Sequence, residues 1–130
     1  EQFRIRQKQV DVRRRIDSED SVSLAVNFML DKKAYDILVI DVKHLTSLTD
    51  IFIICTSDSA PQSKAITNHI KDELLKYKLK PSNIEGYEQM KWILIDYINV
   101  VIHIFDKESR DYYNFENLWN DGKIEKIKDQ

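Results

Sequence analysis

The sequence predicts an α/β or α+β sandwich with a single mixed β-sheet of about five strands and flanking helices. β-branched apolar runs of strand length alternate with segments whose apolar residues recur every three or four positions. The chain has 130 residues, which suits one domain, and only two glycines and two prolines, so its loops must be short. Hydrophobic residues make up 42% and charged residues 32%, which is typical of a globular domain.

The first helix is predicted to begin near Ser18, where Glu19 and Asp20 complement the positive end of the helix dipole. Its core-facing stripe comprises Val22, Ala25, Val26, Met29 and Leu30. Two apolar runs follow at residues 37–42 and 51–55. Their continuous apolar character predicts strands that are covered on both faces.

A second helix is predicted after the segment ICTSDSAPQSK, residues 54–64. Ser59 is expected to cap it, and Pro61 to lie in its first turn, where a missing N–H is tolerated. The helix should run for about five turns and end before Pro81. Its core-facing side chains are predicted to be Ile66, Ile70, Leu74 and Tyr77.

The C-terminal half predicts a short strand or turn at residues 83–86, a hairpin at 92–105, and short helices beyond. With a two-residue turn at Ile98 and Asn99, one hairpin face pairs Trp92 with Phe105, Leu94 with His103, and Asp96 with Val101. The other face is apolar and should seat the long helix. Its residues are Ile93, Ile95, Tyr97, Val100, Ile102 and Ile104.

The first face of the hairpin mixes aromatic, aliphatic and polar side chains, which allows two interpretations. Tryptophan is enriched at binding hot spots, so the face can be a partner-binding surface. Large aromatic side chains are also common in cores, so the C-terminal helices can instead cover it. Those helices carry Tyr112, Tyr113, Phe115, Leu118 and Trp119.

Charge is distributed unevenly along the chain. Residues 1–15 carry six basic and two acidic side chains, net +4, whereas the remaining residues carry 14 and 20, net −6. We expect a basic N-terminal extension at residues 1–17, a domain at 18–122 and a charged C-terminal tail at 123–130. The extension has the composition of a transit peptide, an RNA-contacting tail or a solvated segment. No apolar run approaches the roughly 20 residues that span a bilayer, so no membrane partner is expected.

Residues 54–64 place a cysteine just before a predicted helix, as the catalytic loops of some enzymes do. A cysteine-phosphatase loop needs an arginine where Pro61 stands. A phosphate-cradling loop needs glycines, and this segment has none. Cys55 is therefore predicted to be a small buried apolar side chain, and as the one cysteine it favours a reducing compartment.

The sequence gives little support for a metal site or a nucleotide-binding site. The three histidines are His44, His69 and His103. They lack metal-motif spacing, so neither a metal nor a cofactor is expected. Asp41 and Asp96 are available as acidic ligands, but neither follows the Gly-Ser loop of a nucleotidyltransferase. An alternative nucleotide site would centre on Asp41, Ser57 and Lys64.

Six blocks of sequence occur in order along the chain. They are DILVIDV at 36–42, LTSLTDIFIIC at 45–55, IEGY at 84–87, WILID at 92–96, VVIHIF at 100–105, and RDYY at 110–113 with LW at 118–119. Together they resemble the ribosomal silencing factor, or Iojap-like, family over about residues 20–120. The resemblance implies a nucleotidyltransferase-like core without catalytic residues, and no enzymatic activity.

The resemblance also implies a function. Such a protein binds the large ribosomal subunit through its protein number fourteen, blocks joining with the small subunit and represses translation. A large-subunit assembly factor that uses the same surface is the alternative. The residues favoured for the ribosomal-protein contact are Trp92, Leu94, Asp96, His103, Phe105, Tyr112 and Trp119.

Further expectations concern partners, compartment and turns. Self-association of the free protein and a peripheral ribosomal RNA contact by the extension are expected, in a bacterial cytoplasm or alternatively a mitochondrial or plastid matrix. The chain departs from the family pattern at His44, Ser57 and Ile98, where the family commonly has glycine, and at Pro61, where it often has arginine. Loss of glycine disfavours positive φ, so these turns should be rebuilt, with Asn99 able to take a left-handed conformation.

Overall fold

A computed structural model describes residues 18–128 of the chain, with side chains from Asp20 onward. Its helices are α1 (Ser18–Asp31), α2 (Ala60–Leu75), α3 (Lys107–Tyr113) and α4 (Phe115–Leu118). Its strands are β1 (Tyr35–Asp41), β2 (Ile51–Ser57), β3 (Asn83–Glu85), β4 (Trp92–Asp96), β5 (Val100–Asp106) and β6 (Lys123–Lys126). The predicted extension at residues 1–17 lies outside the described range. None of the helices in that range has the length and apolar character needed to cross a bilayer.

The strands form one mixed sheet in the order β3-β4-β5-β2-β1-β6, which confirms the predicted α+β fold class. The central pair β2 and β5 is parallel, and every other neighbouring pair is antiparallel. Residues 18–128 contain six strands rather than about five, because residues 123–126 pair with β1. The segment reads as polar because β6 is an edge strand, where charged side chains face water.

The helices α1 and α2 cover one face of the sheet. The core there includes Val22, Val26 and Met29 of α1, Ile66, Ile70 and Leu74 of α2, and the predicted apolar face of the hairpin. Ser59 caps α2 as predicted, its side chain accepting a hydrogen bond from the Gln62 N–H at 3.2 Å. The helix ends at Leu75, before Tyr77, because Lys78 takes φ 64° and Leu79 N–H turns back to the Leu74 carbonyl at 3.1 Å.

The predicted register of the β4–β5 hairpin is confirmed, with Trp92 opposite Phe105 and Leu94 opposite His103. The turn, however, places positive φ on Ile98, at 75°, rather than on Asn99. The Asn99 N–H donates to the Tyr97 carbonyl at 3.0 Å, which closes a γ-turn around Ile98. The Asp96 carboxylate supports this turn by accepting from the Ile98 N–H at 2.7 Å.

The second face of the sheet carries a smaller core that α3 and α4 partly cover. The buried members are Leu38, Ile40, Val42, Phe52, Ile54, Val101 and Phe105. Trp92, Leu94, Phe115 and Trp119 pack against them and are only partly buried. This partly covered face carries Trp92, Leu94, Phe105 and Trp119, which the sequence analysis predicted as contact residues.

Candidate protein-binding surface

Six rings pack together on the second face of the sheet, and we call them the aromatic layer. They belong to Phe52, Trp92, His103, Phe105, Phe115 and Trp119. Strand pairing builds its centre, because Trp92 and Phe105 lie opposite each other and stack with centroids 4.8 Å apart and planes 26° apart. His103 lies next in β5 on the same face, beside Phe52 of β2 at 5.2 Å.

The helices α3 and α4 bring further rings onto this centre. Asp106 caps α3, accepting from the Ser109 N–H at 2.7 Å. Asn114, with φ 46°, ends α3 and turns the chain into α4. As a result, the Tyr113 ring lies 4.7 Å from Trp92 and the Phe115 ring lies 4.3 Å from His103.

A buried arginine fixes α3 and α4 to the sheet. The Nη1 of Arg110 donates to the Thr56 hydroxyl at 2.7 Å and to the Asp36 carbonyl at 2.9 Å. Its Nε donates to both carboxylate oxygens of Glu116 at 3.2 Å. Asp36 takes φ 50° in an irregularity of β1 between Tyr35 and Leu38, which turns its carbonyl towards the guanidinium. We call this set the Arg110 clamp.

His103 is 2% exposed and neutral inside the aromatic layer. Its Nδ1 accepts a hydrogen bond from the Trp92 indole N–H at 2.9 Å, so the ring hydrogen lies on Nε2. Burial among apolar rings lowers the pKa of His103 to about 3. The imidazole therefore acts as an uncharged scaffold that orients Trp92.

Exposure divides the predicted contact residues into two groups. Tyr112 is 79% exposed, and Trp92, Leu94, Asp96 and Trp119 are partly buried. His103 and Phe105 are buried, and the partner contact predicted for them stays a prediction. They are buried because β5 is central in the sheet and α3 and α4 cover it.

The structure adds Tyr113 to this surface. It is 49% exposed and lies between Tyr112, at 5.0 Å, and Trp92. We call Trp92, Leu94, Tyr112 and Tyr113 the docking surface. The RDYY block contained the signal for Tyr113, but helix periodicity over so short a segment does not say which tyrosine faces the sheet.

The segment 54–64 performs the structural role that the sequence predicted. Cys55 is fully buried, and burial raises the pKa of its thiol to about 12, so it is a poor nucleophile. The Ser57 hydroxyl is buried, donating to the Ser59 carbonyl at 2.9 Å and accepting from the Ser63 hydroxyl at 2.8 Å. Pro61 lies in the first turn of α2.

The alternative nucleotide site is not assembled. Asp41 ends β1 beside Ile51, whereas Ser57 ends β2 at the other end of the same strand pair. At about 3.3 Å per residue the two positions are about 20 Å apart. Within residues 20–128 no three histidine, cysteine, aspartate or glutamate side chains gather as a metal site would require.

An open mixed sheet with one helix-covered face and one partly exposed aromatic face defines an α+β domain with a candidate binding surface. Residues 15–130 match the family described as "Ribosomal silencing factor during starvation". The chain is 38% identical over 107 residues to ribosomal silencing factor RsfS of Halalkalibacterium halodurans, covering 82% of this chain and 92% of that protein. The chain therefore belongs to the ribosomal silencing factor family.

A crystal structure and organelle proteins extend the comparison. Protein CV0518 from Chromobacterium violaceum superimposes with a TM-score of 0.79 at 34% identity, covering 81% of this chain and 88% of that one. The chloroplastic protein Iojap of Arabidopsis thaliana is 36% identical over 109 residues, 82% of this chain and 45% of that protein. The mouse "Mitochondrial assembly of ribosomal large subunit protein 1" is 29% identical over 107 residues, 80% of this chain and 47% of that protein.

Proposed function

We propose that the protein binds the large ribosomal subunit through its protein number fourteen and thereby blocks joining with the small subunit. The observation that carries the proposal is the docking surface, where the exposed Tyr112 and Tyr113 of α3 lie beside the partly buried Trp92. A domain seated at the face where the subunits meet would repress translation by excluded volume alone. This mechanism requires no catalytic group.

The composition of the docking surface suits protein binding. Tyrosine and tryptophan combine a large apolar area with a hydrogen-bonding group and are enriched at binding hot spots. The surface is rigid, because Trp92 is held by its hydrogen bond to His103 and by stacking on Phe105. Exposed carboxylates at Glu108 and Asp111 border the tyrosines and favour a basic partner.

Tyr112→Ala tests the proposal with little risk to the fold, because this side chain is largely exposed. We expect affinity for purified large subunits to fall about tenfold or more, as for a hot-spot residue. Co-sedimentation in sucrose gradients measures binding, and the yield of joined ribosomes measures anti-association. Leu75→Ala is the matched control, because Leu75 is exposed on α2 behind the other face of the sheet.

Two results would contradict the proposal. One is unchanged co-sedimentation of the Tyr112 variant, and the other is normal subunit joining in the presence of saturating wild-type protein. Trp92→Ala is a harder variant to interpret, because it also removes the hydrogen bond to His103 and the stack on Phe105. It should therefore be scored only beside a thermal unfolding curve.

A role in large-subunit assembly is the second candidate, favoured by the name of the mouse relative. An assembly factor would use the same docking surface on precursor particles. Sedimentation of tagged protein from growing and starved cells separates the two roles. Association with precursors during growth supports assembly, and association with mature subunits in starvation supports silencing.

Further parts of the proposal concern self-association, RNA contact and compartment. We expect free protein to dimerise through the docking surface, so that Tyr112→Ala also shifts the mass found by analytical ultracentrifugation towards the monomer. The basic extension at residues 1–17 is proposed to contact ribosomal RNA at the periphery. The bacterial relatives favour a cytoplasmic protein, and the organelle relatives favour the mitochondrial or plastid alternative.

A further inference from the structure

Three aliphatic side chains are exposed together at one end of the sheet, and we call them the tip patch. Ile98 lies in the turn between β4 and β5 and is 62% exposed. Leu45 and Leu48 lie in the loop between β1 and β2 and are 44% and 81% exposed. The Asp50 N–H donates to the Asn99 carbonyl at 3.1 Å, which ties the loop to the turn. The tip patch is therefore one surface.

The loop holds Leu48 in a defined conformation. The Leu48 N–H donates to the Thr46 hydroxyl at 3.1 Å, and the Thr46 N–H donates to the Val42 carbonyl at 3.1 Å. The Val42 N–H donates to the Asp50 carbonyl at 2.9 Å, which closes the loop. Because the backbone is already ordered, a contact through Leu48 would lose little conformational entropy on binding.

The Ile98 side chain destabilises the turn that carries it. Its φ is 75°, a conformation that glycine adopts without strain and a β-branched residue does not. Since this side chain is mostly exposed, burial within the described part of the chain does not offset the strain. Strained backbone of this kind concentrates at functional sites. The isoleucine is therefore best explained by a contact with another molecule.

The docking surface alone is smaller than a specific interface. An aromatic side chain offers about 150–250 Å². Tyr112 is 79% exposed and Tyr113 is 49% exposed, while Trp92 and Leu94 are partly buried. Together they offer roughly 400 Å², about half of the ~800 Å² that each partner buries in a stable complex. A partner held there must also cover neighbouring surface.

The partly exposed face of β4 connects the docking surface to the tip patch. Trp92, Leu94 and Asp96 alternate along this face, and each is only partly buried. The Asp96 carboxylate accepts from the Ile98 N–H at 2.7 Å, so the face continues into the turn. Trp92 and Ile98 are about 20 Å apart along the strand. This distance fits within a single interface of about 800 Å² per partner, which is about 30 Å across.

We propose that the protein partner held at the docking surface also covers the tip patch, so that Ile98 and Leu48 contact an apolar part of its surface. The inference rests on the proposed function, because it takes the partner to be ribosomal protein fourteen. Aliphatic side chains carry no charge, so this contact lengthens the lifetime of the complex and leaves the association rate nearly unchanged.

Ile98→Gly separates binding from folding. Glycine removes both the strain and the apolar side chain, so we expect the unfolding midpoint in urea to rise while affinity for purified large-subunit protein fourteen falls about tenfold, mainly through faster dissociation. Surface plasmon resonance with immobilised protein fourteen measures both rates. Asn99→Gly is the control, because it adds a glycine to the same turn without removing apolar area, and its affinity should be unchanged.

Leu48→Ser tests the other side of the tip patch. We expect affinity to fall about fivefold, and the unfolding midpoint to stay the same because this side chain is largely exposed. Leu75→Ser is the matched control. It removes an exposed leucine from α2, which covers the other face of the sheet, and it should bind as the wild type does.

The outcomes separate the two proposals. If wild-type protein binds and Tyr112→Ala weakens binding, but either tip variant binds as tightly as the wild type, this inference alone is overturned. It is also overturned if the unfolding midpoint and the affinity of Ile98→Gly fall together, since the side chain then acts in folding. Tip variants that bind normally but shift the mass in analytical ultracentrifugation towards the monomer assign the patch to a second copy of the chain and overturn it equally. If folded wild-type protein does not bind protein fourteen, both proposals fail.

Discussion

At the scale of single residues, Ile98 has a strained backbone, because it is the β-branched residue among the non-glycine residues with positive φ in the described part of the chain. A β-branched residue at φ 75° in a γ-turn is disfavoured by about 1–3 kcal/mol. Ile98 is 62% exposed, so replacing it loses little buried apolar area. We expect Ile98→Gly to raise the free energy of unfolding by about 1 kcal/mol, after allowing for the entropy that glycine gains in the unfolded chain.

Urea denaturation of the wild type and the variant measures this gain. Asn99→Gly is the control, because φ at Asn99 is not positive and glycine there should destabilise the hairpin slightly. A lower unfolding midpoint for Ile98→Gly would show that the γ-turn is not strained.

The buried imidazole of His103 predicts acid sensitivity. Its pKa is lowered from 6.5 to about 3 in the folded protein, so the unfolded chain binds a proton that the folded chain does not. The neutral side chain thus stabilises the fold fully above pH 6.5, and this stabilisation is lost at about 1.4 kcal/mol per unit as the pH falls towards 3. His103→Phe should remove that part of the pH dependence.

Unfolding curves at about pH 7.5 and about pH 5 test this linkage. The wild type should lose about 2 kcal/mol more than His103→Phe between the two conditions. Equal losses in both proteins would mean that His103 titrates alike in the folded and unfolded states.

The side-chain pairs across the β4–β5 hairpin could be predicted from sequence, but the burial of the hairpin face that carries Trp92 could not. Alternation along two strands and a two-residue loop fix that Leu94 faces His103, because each strand residue has one partner. Whether this face is exposed to solvent depends on α3 and α4. Their position is set by Arg110, which contacts Asp36 and Thr56, two residues that are distant from it in sequence. Such long-range contacts leave no local pattern.

At the scale of elements, the Arg110 clamp holds α3 and α4 in place. Removing the guanidinium leaves the Glu116 carboxylate unpaired, together with the Thr56 hydroxyl and the Asp36 carbonyl. We expect Arg110→Ala to lower the free energy of unfolding by about 2 kcal/mol, mainly because the Thr56 hydroxyl and the Asp36 carbonyl lose a charged hydrogen-bond donor. Amide exchange should accelerate most in residues 107–119.

Lys107→Ala on the exposed surface of α3 is the control and should change stability by less than about 0.5 kcal/mol. Arg110→Lys keeps the charge but cannot reproduce the fork of hydrogen bonds, so it should fall between the two. Unchanged exchange in α3 and α4 of Arg110→Ala would mean that ring packing alone holds these helices.

The long helices and the strands β1 and β2 could be predicted from sequence, whereas the last strand, β6, could not. The apolar stripes of α1 and α2 and the runs of β1 and β2 repeat with clear periods, so tertiary packing reinforces them. β6 has four residues, three of them charged, and its position beside β1 depends on Gly122, where a Cβ would lie 2.7 Å from the Asp41 carbonyl. The amino-acid composition of the segment does not reveal this close approach of Gly122 to Asp41.

At the scale of the whole molecule, charge asymmetry predicts salt-dependent association. Residues 16–130 carry net −6 and residues 1–15 carry net +4. Under the proposed function, we expect the association rate with ribosomal protein fourteen to fall about tenfold between about 50 and about 500 mM salt, because screening would weaken the attraction between the acidic domain and a basic partner. A chain that begins at residue 16 should show a steeper dependence.

Stopped-flow association measures this rate. Tyr112→Ala serves as the comparison, since loss of an uncharged contact should raise the dissociation rate and leave the salt dependence unaltered. An association rate that does not depend on salt would show that electrostatic attraction does not contribute to recognition of the partner.

The parallel pairing of β2 with β5 has a consequence for folding. It joins two antiparallel halves that are built from local pairings, β1-β2 and β5-β4-β3, and its partners, such as Ile51 and Val100, are about fifty residues apart in the chain. The β1–β2 and β4–β5 hairpins can form locally, whereas the seam must first close a long loop. The rate-limiting step of folding should therefore be the docking of two preformed halves along β2 and β5.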